Sequence, residues 1–392
     1  MKILMLSSRI PYPLTAGFRI RIYNEAKYFA RDGHRVDLLY FHEDPDEYRE
    51  ELSRVFTRLY CVPLSKGKSA LNLVKGALGS GLPFQVLLYQ SKAFRDQLLA
   101  VADQYDVIIG NHIRTAEYLK LVDPEKAVLD LHDAISYNYW NARRVAGGWR
   151  KAVYGAEYRR VLRYECRVAG LFERSVIISE KDRSWLKDHG AEVGGMSVIP
   201  VAVRDDILPR KKDYKSDSRA ICFLGKMSYQ PNVDAVLWFS REVFPALKEK
   251  YPDLVFWIMG IEPPEEVRRL GQDPNIRVTG FLEDPYEIMA QCMASVVPIR
   301  NGAGIQNKVL ESMVVGTPVV ASPIASEGIE AENGRQLCIA GSKEEYLAAL
   351  FRLLDSPEYR AEIGKNGQEY VKNRYSWKVL YEQWKKLIHE KN

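Results

Sequence analysis

The segment SVVPIRNGAGIQNKVLESMVVGTPVVAS, residues 295–322, carries the densest chemistry in the chain. An apolar strand-like run ends at Ile299, a loop with Gly302 and Gly304 follows, and a helical pattern opens near Ile305. That helix places Lys308 and Glu311 three residues apart on one face. The free N–H groups of a helix start attract an anion, so a phosphate fits there, with Arg300 and Lys308 adding charge. Glu311 is suited to accept hydrogen bonds from a ribose diol. GAGIQN also half matches the G-x-G-x-x-G dinucleotide fingerprint, but it lacks the third glycine.

Other candidates stand at the ends of strand-like runs. Lys226 follows AICFLG, at the carboxyl end where open α/β sheets hold ligands, and a fixed cation there stabilises charge on a departing phosphate. His132 and Asp133 follow AVLDL, while Asn111 and His112 follow DVIIG on a similar rim. After KILMLS, a loop with Pro11, Pro13 and Gly17 leads to a helix near Phe18, and a glycine there admits a ligand close to the backbone. Gly33 is the expected C-cap of that helix. Asp44-Pro45-Asp46 matches the D-x-D pattern of some metal sites, yet it lies in HEDPDEYREEL, an acidic stretch better suited to starting a helix. No metal is therefore expected.

The elements that must position these residues form two series. KILMLS (2–7), RVDLLYF (35–41), LYCVPL (59–64), DVIIG (106–110), AVLDL (127–131) and SVIIS (175–179) alternate with amphipathic spans. The charged stretch RKKDYKSDSR (210–219) interrupts them. A second series follows: AICFLG (220–225), LVFWIMG (254–260), IRVTGF (276–281), ASVVPI (294–299) and PVVAS (318–322), with helical spans at 232–250 and 305–315. Alternating strands and helices imply parallel sheets with helical crossovers. The expected fold is therefore α/β, two Rossmann-like doubly wound domains facing a cleft. The first is expected over 1–205 and the second over 220–375, joined by a linker at 206–219. A helix at 376–392 is expected to pack back on the first domain, after tail helices broken at SPE and GKNG.

Composition excludes several classes. With 392 residues, 46% hydrophobic and 27% charged, the chain is globular and long enough for two cores. A net charge of +5 is too small to suggest a nucleic-acid binder. Five scattered cysteines without a C-x-x-C pair support neither disulfides nor zinc and fit a reducing cytoplasm. No apolar run is long enough to span a bilayer. Two stretches nonetheless suit amphipathic partners. Residues 140–167 interleave basic and aromatic side chains, as an anionic membrane surface or a lipid phosphate would require, or as a solvated helix with its aromatics in the core. Residues 66–91, apolar and glycine-punctuated, can line an acceptor groove.

The run GAGIQNKVLESMVVGTPVVASPIASEGIE resembles the donor-binding segment of glycosyltransferase family 4, retaining enzymes of the GT-B fold. KILMLSSRIPYPLTAGFRIR, LDLHDAISY, ISEKDRSWLKDHG, VIPVAV, FLGKMSYQPNVDAVLWF and VTGFLEDPYEIMAQC fall in the family's order, so the similarity spans nearly the whole chain. It implies a retaining transferase that moves a sugar, a hexose or a relative of one, from a nucleoside-diphosphate sugar to a glycan, polysaccharide or lipid-linked acceptor, in cell-surface glycan synthesis. The implied catalytic set is His132, Lys226 and Arg300, with Gly17, His112, Asp133, Phe281, Gly302, Gly304, Lys308 and Glu311 binding substrate. It further implies no cofactor beyond the donor, no metal and no nucleic acid, with a cytoplasmic location, peripheral on the inner face of the membrane. Two departures stand out. The first glutamate of the family's E-x7-E pair falls on Ala303, and the G-R-x-x-x-x-K-G pattern falls on Gly225, Lys226, Pro231 and Asn232, losing one cation. Competing readings are a GT-B sugar-nucleotide epimerase, a noncatalytic sugar-nucleotide-binding subunit and, least favoured, a Rossmann oxidoreductase.

Overall fold

The structure is a computed structural model describing residues 1–392 except 15, 78–79, 146, 208–209, 211–213, 215–218, 302–304 and 390–392. The chain divides into two units, residues 1–201 with 380–392, and residues 202–379.

In the first unit, β1 (Lys2–Ser7), β2 (Arg35–Phe41), β3 (Arg58–Val62), β4 (Val107–Asn111), β5 (Ala127–His132), β6 (Ser175–Ile177) and β7 (Met196–Val198) form one sheet. Its order is β3-β2-β1-β4-β5-β6-β7, and each paired neighbour is parallel. Helices cover both faces, so β4 and β5 are buried along their full length, which is why they read as unbroken apolar runs. The order reverses between β1 and β4, where Leu6 pairs with Gly110. A doubly wound sheet opens a ligand crevice at that point.

The second unit repeats the design. β8 (Ala220–Leu224), β9 (Val255–Met259), β10 (Ile276–Gly280), β11 (Ala294–Val297), β12 (Val319–Ala321) and β13 (Cys338–Ile339) lie in the order β10-β9-β8-β11-β12-β13. The reversal falls between β8 and β11, where Ser295 pairs with Cys222. Two short strands, β7 and β13, were not anticipated, because three and two residues are too few for a periodic signal.

Several local expectations need correction. The helix expected over 232–250 runs as Gln230–Trp238, a π-helical turn Phe239–Val243, and Phe244–Lys250. The helix placed near Ile305 begins at Asn307, with Gln306 as its cap. Asp32, not Gly33, caps the helix Gly17–Arg31, and Gly33 follows at φ 83°. GKNG is no break, since it lies inside the helix Pro357–Arg374. A Cβ on Gly364 would stand 2.5 Å from the Gly316 carbonyl oxygen, and one on Gly367 would stand 2.7 Å from that of Gln336. These glycines allow close packing inside a helix rather than ending it. Asp44 Oδ1 accepts from the Asp46 backbone N–H at 2.9 Å, forming a turn, and the helix Arg49–Ser53 starts after Tyr48, at φ 58°.

Of the described aromatic residues of 140–167, Tyr158 and Tyr164 are buried and Trp140 and Tyr154 are half-buried. Trp140 lies 5.5 Å from Tyr158 and 6.2 Å from Trp185, and Tyr139 lies 6.0 Å from Tyr154. The side chains of Trp149 and Arg150 lie outside the described residues. Among the described residues, no helix is long and apolar enough to cross a membrane.

Candidate active site

The second unit gathers a cationic cluster at the β8–β11 reversal. β8 ends at Leu224, and Gly225 allows a tight exit: a Cβ there would stand 2.7 Å from Asn232 Nδ2 and 3.1 Å from Lys308 Nζ. Buried Asn232 is the bridge. Its Nδ2 donates to the Lys226 carbonyl at 2.7 Å, and its Oδ1 accepts from Lys308 Nζ. The Lys308 ammonium also lies 4.8 Å from the Phe223 ring. Burial pulls its pKa down to about 8, against the opposing pull of Glu311. Lys308 thus delivers a cation beside position 231, where the resemblance expects a lysine and the chain has proline.

Lys226 is exposed, and its Nζ lies 3.3 Å from Glu262 Oε2. Glu262 follows β9 with φ 57°, and hydrogen bonds from Ser228 and Lys226 hold its carboxyl below the ordinary range. Sequence reasoning missed this partner, although a strand end at Met259 followed by Gly260 was a usable signal. Glu311 faces an equally unforeseen set. Its carboxyl is raised by burial, while Arg204, Lys308 and a hydrogen bond from Tyr286 oppose the rise. Arg204 Nε in turn donates to Asp206 Oδ1 at 3.0 Å.

The remaining second-unit candidates are spread out. The Arg300 guanidinium lies 5.4 Å from the Trp238 ring. Phe281 is 75% exposed and follows Gly280, at φ 70°. Gly302, Gly304 and Ala303 lie outside the described residues.

The first unit holds its own candidates at the β1–β4 reversal and on β5. His112 and His132 both have positive φ, 71° and 65°, which costs energy for a residue with a Cβ. The register of β5 on β6 shifts between Asp130 and His132, a bulge that re-aims the histidine. Asp130 fixes both bends: its Oδ1 accepts from the His132 N–H at 3.1 Å, and its carbonyl accepts from the His112 N–H at 2.6 Å. The rings lie 5.9 Å apart; His112 Nδ1 is buried without a hydrogen-bond partner, and His132 Nε2 lies 3.4 Å from Asp130 Oδ2. Burial lowers both histidines' pKa, and for His132 the charge of Asp130 opposes the fall. Both rings are therefore neutral at pH 7 and can donate or accept one hydrogen bond. Asp133 accepts from Asn138 Nδ2, and burial, with Asp182 nearby, raises its pKa. Gly17 begins the helix Gly17–Arg31, and an added Cβ would meet nothing within 4 Å. Among the described residues, no group of three or more His, Cys, Asp or Glu side chains is arranged to hold a metal ion.

Comparison with known proteins bears on this geometry. Residues 218–356 match the family described as glycosyl transferases group 1. The matched residues lie within the second unit. A protein of Klebsiella pneumoniae described as an uncharacterized 44.6 kDa protein in the cps region is 22% identical over 400 residues, covering 97% of this chain and 98% of its own. A Corynebacterium glutamicum enzyme, GDP-mannose-dependent monoacylated alpha-(1-6)-phosphatidylinositol monomannoside mannosyltransferase, is 29% identical over 163 residues, 38% of this chain and 42% of its own. The solved structure of Anabaena Alr3699/HepE in complex with UDP superposes with a TM-score of 0.69 at 16% identity, covering 98% of this chain and 99% of that one. That likeness makes the fold GT-B. The family match over residues 218–356 supports a glycosyltransferase.

Proposed function

We propose that this protein is a group 1 glycosyltransferase, which moves a hexose, or a related sugar, from a nucleoside-diphosphate donor to a glycan or lipid-linked acceptor, with retention at the anomeric carbon. The observation that carries the reading is the cluster of Lys226, Asn232 and Lys308 at the carboxyl end of β8. Two ammonium groups at a switch point suit a diphosphate, and charge that grows on the leaving phosphate is stabilised most by cations already in place. Asn232 keeps Lys308 oriented, so little reorganisation is needed at the moment of transfer.

The other roles rest on the resemblance and suit the local chemistry. Glu311 accepts from the ribose diol, with Tyr286 and Arg204 holding its carboxyl. His132 offers a neutral ring to a sugar hydroxyl, with Asp130 Oδ2 3.4 Å from its Nε2. In a retaining transfer, the departing phosphate oxygen takes the acceptor's proton on the face where the new bond forms. No enzyme carboxylate has to attack, so the protein positions substrates and stabilises charge. The Corynebacterium relative is named for GDP-mannose, and the Anabaena structure holds UDP, so both nucleotides belong in a donor screen.

The test is a thermal-shift screen of uridine, guanosine, adenosine and thymidine diphosphate sugars, followed by transfer of a labelled sugar from the donor that stabilises the protein. One donor class should raise the melting temperature, and Lys308→Met should abolish the rise. If no nucleotide sugar stabilises the protein, the reading fails. Donor turnover without any acceptor would favour the epimerase instead.

A further inference from the structure

A cavity of about 530 Å3 opens in the first unit at the carboxyl ends of β1 and β2. Its wall is apolar, formed by Ile10, Phe41, Leu64, Leu73 and Leu88, with the helix Lys66–Ala77 on one side. Arg9, Arg19 and Tyr89 are among its polar lining. Arg9 Nε donates to the Tyr89 hydroxyl at 2.8 Å. Arg114 uses the same tyrosine from its face, with its guanidinium 5.5 Å from the ring centroid and its Nε 3.2 Å from Gln85 Oε1. Two guanidiniums thus meet one tyrosine, Arg9 at its hydroxyl and Arg114 at its ring.

No carboxylate among the described residues forms an ion pair with Arg9, Arg19 or Arg114. Glu43 lines the cavity without pairing with any of them, and Asp133 acts on Arg114 only at a distance. His42, also in the lining, is paired with Glu47 at 2.6 Å. Arg19 Nε is buried with no hydrogen-bond partner, while its Nη1 donates to the Pro13 carbonyl at 3.3 Å and its guanidinium lies 5.7 Å from the Phe18 ring centroid. Burial and the charge of Arg9 both work against the cation on Arg114. Like charges drawn together and partly desolvated are costly unless an anion offsets them.

We propose that this cavity is the acceptor site, and that the acceptor carries a phosphate joined to an apolar chain. The phosphate lies between Arg9 and Arg114 over Tyr89, and the chain lies along Phe41, Leu64, Leu73 and Leu88. Guanidinium forks match phosphate oxygens two at a time, and the apolar wall gains from burying a hydrocarbon. The inference rests on the glycosyltransferase reading for the word acceptor, whereas the binding chemistry stands without it.

Calorimetric titration of the full chain, without donor, tests the proposal with three probes: dodecyl phosphate below its micelle concentration, neutral dodecyl maltoside, and inorganic phosphate. Dodecyl phosphate should bind at least about tenfold more tightly than either of the others. Arg9→Gln and Arg114→Gln should each weaken it about tenfold, Arg114→Lys should recover part of the loss, and Leu73→Asp should weaken it comparably. Thermal shift by the nucleotide sugar should be unchanged in all four variants, which shows they are folded and separates this test from the donor reading. Equal binding of dodecyl maltoside overturns the anionic group, and equal binding of inorganic phosphate overturns the chain. Wild-type affinity in the two glutamine variants overturns the site itself.

Discussion

Arg21 Nε lies 2.9 Å from Asp130 Oδ2, inside the first unit, where both side chains are almost fully excluded from solvent. The same Nε lies 3.0 Å from Glu25 Oε1, and Arg21 Nη1 donates to the Ile199 and Pro200 carbonyls at 3.0 and 3.1 Å. One guanidinium therefore joins the strand that carries His132, the helix Gly17–Arg31 and the segment that follows β7. Asp130 answers to two tasks, balancing Arg21 and holding the bent backbone of His132.

Arg21→Met should destabilise the first unit by about 3 to 5 kcal/mol, because it leaves Asp130 buried without its cation. Urea unfolding followed by hydrogen exchange of β4 and β5 measures this loss. A change under about 1 kcal/mol would mean that Asp130 does not depend on this guanidinium.

Lys226→Ala should lower kcat on the order of 100-fold while changing donor affinity far less, since its cation matters most as the diphosphate leaves. Glu262→Gln removes the exposed partner 3.3 Å away and should leave kcat within a few fold or raise it. Steady-state kinetics on both variants separates a phosphate contact from a surface ion pair.

Donor binding should weaken as pH rises through about 8, where Lys308 loses its proton in the free protein. The sign follows from burial: the folded-state pKa is depressed, so the ammonium is fully present only below that value. Above it, each pH unit should cost up to about tenfold in affinity. Lys308→Arg should flatten the profile, and a wild-type profile already flat between pH 7 and 9.5 would count against Lys308 as a diphosphate ligand.

Stability should fall as pH rises from about 5 to about 8, through Glu165. Its oxygens accept from the Ile135 and Ser136 N–H groups at 2.7 and 3.1 Å, yet burial pushes its pKa up to about 8. The folded protein keeps this proton after the unfolded chain has released it, so the loss begins near the ordinary carboxyl pKa and ends near 8. Glu25, also pushed up to about 8 by burial, adds a slope of the same sign. Glu165→Gln should therefore flatten the pH dependence of the urea midpoint in part.

Transfer should survive EDTA. Lysine ammoniums and free backbone N–H groups can neutralise a diphosphate without an ion. Loss of labelled transfer in chelator, with recovery on adding magnesium or manganese, would reopen Asp44 and Asp46 as ligands.

The sheets were legible because their strands are buried on both faces: KILMLS and RVDLLYF match β1 and β2 residue for residue. The places of Lys226, Lys308 and His132 in the fold were legible because a strand end or a helix start marks each. What stayed hidden are relations between distant segments. Nothing in a lone Asn232 announces that it spans Lys226 and Lys308, and Arg9, Tyr89 and Arg114 meet only once β1 and β4 lie side by side. GKNG misled for a similar reason. Glycine lowers helix propensity locally, but its use here depends on the Gly316 carbonyl, far off in sequence.

Residues 380–389 belong to the first unit, where Trp384 Nε1 donates to Glu25 Oε1 at 3.2 Å and Tyr381 donates to Asp32 at 2.8 Å. During synthesis the ribosome releases all of residues 202–379 before this closing segment emerges. The second unit can complete its core in the order in which it is made. The first must wait with Phe29 uncovered, since Tyr381 and Trp384, the rings packed edge-on against it, are still to come. A nascent chain stalled before residue 380 should thus hold one finished unit and one that proteases and chaperones still recognise as unfinished.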